Sequence, residues 1–257
     1  MSLTTDLLHC FELEESAGDN KLCSVGSSLY LMEDNFGESE PLGSALGKVN
    51  NGCYFPYMDP PEMEWHYRSY LTASSKFANA TNFTMCMWVK VMSCIECGYC
   101  VFVTTAMDPS WINGNGISLY TEFMGTQGPT NFLIKDKTIE LSADLLDGQW
   151  HHFAFTHIGT TGETVVYDNG INVGGDTTLT GIIDFASALS LTFGGVMDNP
   201  MMDGASEMML DQICIWNRAL SSNEILELYN SGDGMSYSDM SYVPPAPPIN
   251  AIISIRN

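Results

Sequence analysis

The sequence predicts an all-β protein with two packed antiparallel sheets, one short helix and an extended C-terminal arm. Three observations predict this fold. Short runs of β-branched and aromatic residues, separated by Gly, Pro and Asn turns, recur along the 257 residues without interleaved helices. The run from Asn82 to Val91 is almost continuously apolar, as in a strand inside a sandwich. The segment from Trp150 to Tyr167 contains two strand patterns joined by the turn Gly159 to Gly162.

The chain opens on a strand over residues 3–14, which is followed by an acidic loop over residues 14–20. Both faces of the later strand over residues 150–157 are largely uncharged, since side chains alternate between faces. At typical strand and loop sizes, about 12 to 14 strands fit the length. The other predicted strands cover residues 28–32, 52–57, 71–77, 82–91, 99–105, 116–123, 131–135, 138–141, 164–167, 189–194 and 212–216.

One helix is predicted near the C-terminal end. Ser221 and Glu224 have the spacing of a capping box. Ile225, Leu228 and Tyr229 then form an apolar stripe at helical spacing, and Gly232 ends the pattern. No repeat or composition break precedes that point, so we predict one domain over residues 1–232.

Residues 233–257 form a tail of different composition. Residues 233–248 are rich in Ser, Met, Tyr and Pro, which predicts no packed strand or helix, and residues 243–248 predict an extended linker. Residues 249–255, INAIISI, are β-prone and lie beyond that linker. They either dock on their own sandwich or add a strand to another subunit. In the second case the tail is an assembly arm and the protein a homo-oligomer.

The charge balance excludes several partners. The chain has 31 acidic and 9 basic residues, for a net charge of −22. This argues against nucleic acid, which requires a basic surface, and against anionic membranes. It is compatible with calcium, with neutral glycans or with a simple solvated acidic surface. No apolar run is long enough to span a membrane, and the first ten residues lack the pattern of a secretory signal.

Several segments resemble the laminin G-like/concanavalin A-like family. Residues 147–170, DGQWHHFAFTHIGTTGETVVYDNG, and 210–232, LDQICIWNRALSSNEILELYNSG, carry the resemblance. Residues 82–91, NFTMCMWVKV, are similar to a family strand, with Trp88 at the expected place. The resemblance covers most of residues 3–232 and implies a jelly-roll sandwich that is used mostly for binding.

The resemblance also suggests a setting. The opening segment LLHCFELEESAG is similar to the start of laminin G-like domains in bacteriophage structural proteins. We therefore predict a non-enzymatic virion surface protein that displays a binding domain, contacts other virion proteins or itself through its C-terminal arm, and attaches to a host glycan or protein. The alternatives are an extracellular or cell-surface carbohydrate-binding module and a diverged glycan hydrolase.

Catalytic groups are not recognisable in the sequence. A retaining glycosidase needs two carboxylates about 5 Å apart, and the family's glucanases carry a Glu-x-Asp-x-x-Glu motif that is absent here. The acid pairs Glu12/Glu14 and Glu62/Glu64 are the nearest imitations. Adjacent histidines at 151 and 152 point to opposite faces of a strand and cannot form one ligand pair.

The eight cysteines are predicted to be mostly reduced. The spacing Cys94-x-x-Cys97-x-x-Cys100 suggests zinc, with Cys86 as the only fourth ligand on offer, but buried free thiols are the favoured interpretation. The remaining four are interpreted as fillers of the hydrophobic core: Cys10, Cys23, Cys53 and Cys214.

The resemblance implies a calcium site. Many members of this family hold Ca²⁺ near the rim, with oxygen ligands from the loop after the first strand and from the last strand. In this chain those ligands would be Glu14, Glu15, Asp19 and Asp211, with Asn20 beside them. The chain departs from the family pattern D-S-x-G, because Cys23 takes the place of the aspartate and a thiol is a poor ligand for a hard cation.

Two loops carry candidate ligand-binding residues. Trp65 and Tyr67 follow a proline-containing turn, and a second group comprises Asp108, Trp111 and Asn113. Aromatic rings stack on sugar faces, while Asp and Asn bind hydroxyl groups. The alternative is that the rings only fix their loops to the core.

Overall fold

The predicted all-β sandwich is confirmed. The computed structural model describes residues 2–26, 28–35, 42–56, 69–75, 77–95, 99–105, 116–123, 126–186, 191–195 and 205–241. These residues form two antiparallel sheets and two short helices near the C-terminal end.

The elements of the described residues, in chain order, are β1 Leu7–Phe11, β2 Lys21–Leu22, β3 Tyr30–Asn35, β4 Gly43–Leu46, β5 Asn51–Phe55, β6 Ser69–Ala73, β7 Asn82–Ile95, β8 Tyr99–Thr104, β9 Ile117–Phe123, β10 Gln127–Ile134, β11 Lys137–Leu141, β12 His151–Ile158, β13 Glu163–Asp168, β14 Ile171–Asp176, β15 Thr192–Phe193, β16 Ala205–Trp216, helix α1 Ser222–Tyr229, the 3₁₀ turn Asn230–Gly232 and helix α2 Tyr237–Ser241.

Each sheet has a continuous order of strands. Sheet A runs β14-β13-β12-β7-β16-β5-β4, and β1 also pairs with β16. Sheet B runs β11-β10-β9-β8-β15-β6-β3-β2. The long strands β7 and β16 form the middle of sheet A, in a register that pairs Cys214 with Cys86 and Asp211 with Trp88. Between those two pairs the register shifts, and Gln212 adopts a positive φ of 50°. This bulge sets the direction of the Asp211 side chain.

The main core lies between the sheets and a second one lies outside sheet A. Because side chains alternate along β7, Met85 and Met87 enter the main core, whereas Cys86 and Trp88 face outward. The outer face of sheet A is covered by the N-terminal turn and by α1, and the second core comprises Leu3, Leu7, Cys10, Cys86, Ala154, Tyr167, Cys214, Trp216, Leu220, Ile225, Leu228 and Met240.

The predicted helix is confirmed as α1. The Ser221 hydroxyl accepts a hydrogen bond from the backbone N–H of Glu224, whose side chain reaches back to the cap. The prediction that residues 233–248 contain no packed helix is wrong for α2, because Met240 is buried in the outer core. Residues 242–257, which include the predicted linker and arm, lie outside the described residues. Within the described part of the chain, no helix is long and apolar enough to cross a membrane.

The prediction for the cysteines needs one correction. Cys10 and Cys214 form a disulfide that joins β1 to β16 across 204 positions of sequence. They are cross-strand partners with a Cα–Cα distance of 4.1 Å, so the fold brings the two thiols together although the sequence separates them widely. Cys86 lies on the outer face of sheet A, away from Cys100 in the main core. Sheet A therefore separates two of the four thiols considered for zinc, and Cys97 lies outside the described residues.

Candidate functional site

Two carboxylates converge on the turn between β4 and β5. Asp211 is wholly buried, and its Oδ2 accepts hydrogen bonds of 2.8 Å from the backbone N–H groups of Lys48 and Val49. Glu14 approaches the same turn, and its Oε2 accepts a 3.1 Å bond from the N–H of Asn51. Gly47 is required there, since a Cβ would lie 2.6 Å from Asp211 Oδ2. The two carboxylates thus hold this turn in place by accepting hydrogen bonds from its backbone N–H groups.

The second oxygen of each acid is buried and has no hydrogen-bond partner among the described residues, namely Asp211 Oδ1 and Glu14 Oε1. Burial raises the pKa of Asp211 to about 7, against the lowering effect of three backbone N–H donors, and the nearby Glu14 charge raises it further. Buried carboxylate oxygens without donors are suited to a cation.

The structure does not assemble the four predicted calcium ligands as one set. Glu15 turns toward β2, where its Oε1 accepts a 2.7 Å bond from the N–H of Leu22. Asp19 is exposed in the loop. Within the described ranges, no three His, Cys, Asp or Glu side chains come together in a group that could hold a metal ion. The fit is therefore partial: Glu14 and Asp211 meet, while Glu15 and Asp19 lie apart from them.

The adjacent histidines face opposite sides of β12, as predicted. His151 Nδ1 lies 2.9 Å from a carboxylate oxygen of Asp168, and its Nε2 lies 3.0 Å from Asp147. Burial alone would lower the pKa of His151, but these two hydrogen bonds outweigh it and raise the pKa to about 9. His152 is buried beneath α1 beside Trp88, where burial lowers its pKa to about 3. His151 is therefore an ion-paired structural residue, and His152 is a neutral core residue.

The acid pair Glu12/Glu14 is engaged in structural contacts. Glu12 accepts hydrogen bonds from the Ser24 hydroxyl at 2.7 Å and from the N–H of Tyr237 at 2.9 Å. Glu14 is held at the β4–β5 turn, as described above. The other pair, Glu62 and Glu64, lies outside the described residues.

The five predicted ligand-binding residues, Trp65, Tyr67, Asp108, Trp111 and Asn113, also lie outside the described residues. The flanking positions are described. Ser69 opens β6 and Thr105 follows β8, and both strands are antiparallel to β15. They therefore run in the same direction, so these two flanking residues lie at opposite ends of sheet B.

A further group, missed in the sequence, lies on the outer face of sheet B. Cross-strand pairing places Ser118, Thr104, Thr192 and Thr72 in one row across four neighbouring strands. All four are buried, and the Oγ of Ser118 has no partner among the described residues. The sequence does show that each of these residues alternates with an apolar core residue of its own strand. It does not show the strand order, which is needed to align the four residues in one row.

Aromatic and amide groups lie beside this row. The rings of Tyr99 and Tyr120 meet edge to face at a centroid distance of 5.3 Å. Val101 and Leu133 pack with them, and the Asn131 amide donates a 3.2 Å bond to Glu122. Tyr99 is half-buried, whereas Tyr120 is buried. This group, called the outer tyrosine face below, combines rings, an amide, a carboxylate and hydroxyls, of which Tyr99 and Glu122 are only half-buried.

A family profile described as the Concanavalin A-like lectin/glucanases superfamily matches residues 67–226. No curated protein matches the chain.

Solved structures share the fold at low sequence identity. The binding domain of botulinum neurotoxin DC, solved in complex with rat synaptotagmin II, has a TM-score of 0.61 and 14% identity over 90% of this chain and 52% of its own. Domain 4 of an extracellular arabinanase from Geobacillus stearothermophilus, in complex with arabinotriose, has a TM-score of 0.59 and 17% identity over 86% and 97% of the two chains. A heptameric pentraxin from Limulus polyphemus has a TM-score of 0.51 and 18% identity over 74% and 86%. The chain spans about half the length of the toxin binding domain.

Proposed function

Because the chain belongs to the Concanavalin A-like lectin/glucanases superfamily, we propose that it is a non-enzymatic domain that binds a glycan. The observation that carries this proposal is the outer tyrosine face of sheet B. A sugar presents an apolar face of C–H groups and a rim of hydroxyls, so it requires a ring for stacking and polar groups for hydrogen bonds.

The outer tyrosine face offers both kinds of group. Tyr99 is half-buried, so part of its surface is open to a ligand. The half-buried Glu122, the cross-strand partner of Tyr99, supplies a carboxylate acceptor beside the ring. Asn131, whose amide donates a 3.2 Å bond to Glu122, and Ser118 are buried on the same face of the sheet. The arabinanase domain, whose complex contains arabinotriose, is similar in fold and in length, which supports a sugar as the ligand to test.

A binding role without catalysis agrees with the contacts of three described acids. Glu12 and Glu14 each accept one backbone N–H group, and Oδ2 of Asp211 accepts two. A carboxylate that caps backbone donors in this way is poorly placed to attack a substrate or exchange protons with it.

The experiment is titration calorimetry of the full chain with arabinotriose, after a glycan array has identified any better ligand. Tyr99→Ala is expected to weaken binding at least tenfold, because ring stacking on a sugar is lost. Tyr54→Ala is the matched control, since Tyr54 is a partly exposed tyrosine on sheet A, bonded to Glu207 at 2.6 Å. Equal weakening by both variants, or no binding of any glycan on the array, would overturn the proposal. The same titration with Trp65→Ala and Trp111→Ala tests the two predicted loops.

We also propose that this domain is displayed on a virion and that its tail assembles with other virion proteins or with a second copy. The support is the resemblance of the opening segment to bacteriophage structural proteins and the β-prone run at residues 249–255. Mass spectrometry of purified particles tests the setting, and deletion of residues 244–257 tests the arm. If the shortened chain joins particles and oligomers as the full chain does, the arm has no part in assembly.

Calcium at Glu14 and Asp211 is kept as a proposal. Bound there, the ion would satisfy the two oxygens that lack a hydrogen-bond donor and join the β4–β5 turn to the loop after β1. Thermal unfolding with and without calcium, in the wild type and in Asp211→Asn, tests it. We expect calcium to raise the Tm of the wild type only, and an equal response in the variant would contradict the site.

A further inference from the structure

One of the two-residue strands of sheet B, β2, buries its polar residue and exposes its apolar one. In β2, Lys21 is buried to 1% exposure, whereas its neighbour Leu22 is 62% exposed. Lys21 pairs with Leu31, a core residue of β3, so the lysine points between the two sheets. A one-residue shift of register would bury the leucine and expose the lysine, which is the ordinary preference. Something in the interior must therefore compensate the buried ammonium.

The compensation comes from the acidic loop after β1. Lys21 Nζ donates hydrogen bonds to the backbone carbonyls of Ser16 at 2.9 Å and Glu15 at 3.3 Å. A cation bound through loop carbonyls has the coordination expected of a metal ion in such a loop. Two carbonyl oxygens of this loop, those of Glu15 and Ser16, are thus already bound to a positive group of the chain.

Two carboxylates lie in the same region. Burial raises the pKa of the Cys53 thiol; the Lys21 charge lowers this pKa, and the Glu33 and Glu15 charges raise it, so all three groups lie near this thiol. Glu33 Oε2 and Glu15 Oε2 are both buried without a hydrogen-bond partner among the described residues. Both side chains are half-buried and use their other oxygen to accept a backbone N–H, from Leu42 and Leu22 respectively. A buried carboxylate oxygen without a donor favours a positive charge nearby.

We infer that Lys21 is a built-in cation: its ammonium occupies a cation site formed by the loop carbonyls of Glu15 and Ser16, with the carboxylates of Glu15 and Glu33 in the same region. The loop after β1 is consequently held without a metal ion at this position. The site would accept a small organic ammonium if the lysine side chain were removed, since the carbonyls and carboxylates would remain.

The test compares thermal unfolding of the full-length wild type with Lys21→Met, which keeps the length of the side chain and removes its charge. If the lysine were a tolerated misfit, this apolar replacement would stabilise the protein. A built-in cation predicts the opposite, a fall in Tm of about 10 °C, because two loop carbonyls lose their donor and the carboxylates nearby lose a positive charge. Lys135→Met is the matched control, since Lys135 Nζ donates to the Thr180 carbonyl at 2.6 Å near the surface, and we expect a change below about 2 °C.

Chemical rescue provides the second arm. In Lys21→Ala, n-propylammonium chloride replaces the missing atoms of the side chain and is expected to restore part of the lost Tm, whereas sodium chloride at equal ionic strength is not. A Tm of Lys21→Met within 2 °C of the wild type, or equal effects of the two salts on Lys21→Ala, overturns the inference. If these variants do not fold, acetylation of the lysine amines in the native wild type tests the inference. Acetylation of Lys21 at the rate of Lys135 would overturn the inference, whereas a rate at least 100-fold lower for Lys21 would support it.

Discussion

Replacing His151 should make the stability of this protein less dependent on pH in the alkaline range. The imidazole is held between Asp168 and Asp147, with both ring nitrogens within 3.0 Å of a carboxylate oxygen. Its pKa is raised from 6.5 to about 9 in the folded protein. The folded state therefore binds the proton more tightly than the unfolded chain does. The stabilisation is fully present below pH 6.5 and is lost as the pH rises from 6.5 to 9.

The magnitude follows from that interval. A difference of about 2.5 pH units corresponds to about 3.4 kcal/mol at most. The His151 side chain is only 8% exposed, but that of Asp147 is 40% exposed, so solvent screens part of its contribution. We therefore expect a loss of about 2 kcal/mol in the free energy of unfolding between pH 6 and pH 9.5.

The assay is urea unfolding, followed by tryptophan fluorescence, of the wild type and His151→Gln at pH 6 and pH 9.5. Other groups that titrate in this interval contribute equally to both proteins, so the difference between the two proteins isolates His151. The wild type should exceed the variant by about 2 kcal/mol more at pH 6 than at pH 9.5. A difference that stays constant between the two pH values would refute the assignment of a protonated, doubly paired histidine.

Three further changes test the packing. Replacing Cys10 and Cys214 together by Ser, or reducing their disulfide, should cost up to about 5 kcal/mol in urea unfolding, because the bond closes a loop across 204 positions; a loss below 1 kcal/mol would contradict this. Gly194→Ala should cost about 3 kcal/mol by the same assay, since φ is +77° and a Cβ would overlap the Phe55 ring; an unchanged midpoint would show that the ring moves freely. Trp216→Phe removes a 2.6 Å bond from the indole N–H to the N-terminal turn. It should cost about 1 to 2 kcal/mol and speed amide exchange in residues 3–7, and unchanged exchange would argue against that anchor.

The strands and the helix were predictable because their signals are local. The apolar run from Asn82 became most of β7, and the spacing of Ser221 and Glu224 became a capping box. The long strand β16 was predicted only over residues 212–216, since the bulge at Gln212 interrupts the alternation of side chains. Local patterns therefore predicted where the strands and the helix lie better than they predicted the residues at which these elements begin and end.

The candidate sites were less predictable because they depend on contacts between distant segments. Asp211 and Glu14 were both predicted as ligands, and they meet at one turn, but only the strand order shows that Glu15 turns away toward β2. The burial of Lys21 and the exposure of Leu22 could not be predicted from the sequence, since a two-residue strand is too short for periodicity to indicate which side is buried. The disulfide could not be paired from sequence, because its two residues lie near opposite ends of the chain.

That cross-link between the first and last strands has a mechanical consequence. β1 and β16 are antiparallel neighbours, so a pull on the two ends of the chain would peel this pair apart from Leu7 and Trp216 inward. The peeling reaches the covalent bond at Cys10 and Cys214 after only a few residues, and the load then passes through the bond. The chain from residue 11 to residue 213, which contains both sheets' interior strands, carries no tension. A domain cross-linked in this way can bear traction at its termini while the two sheets stay folded.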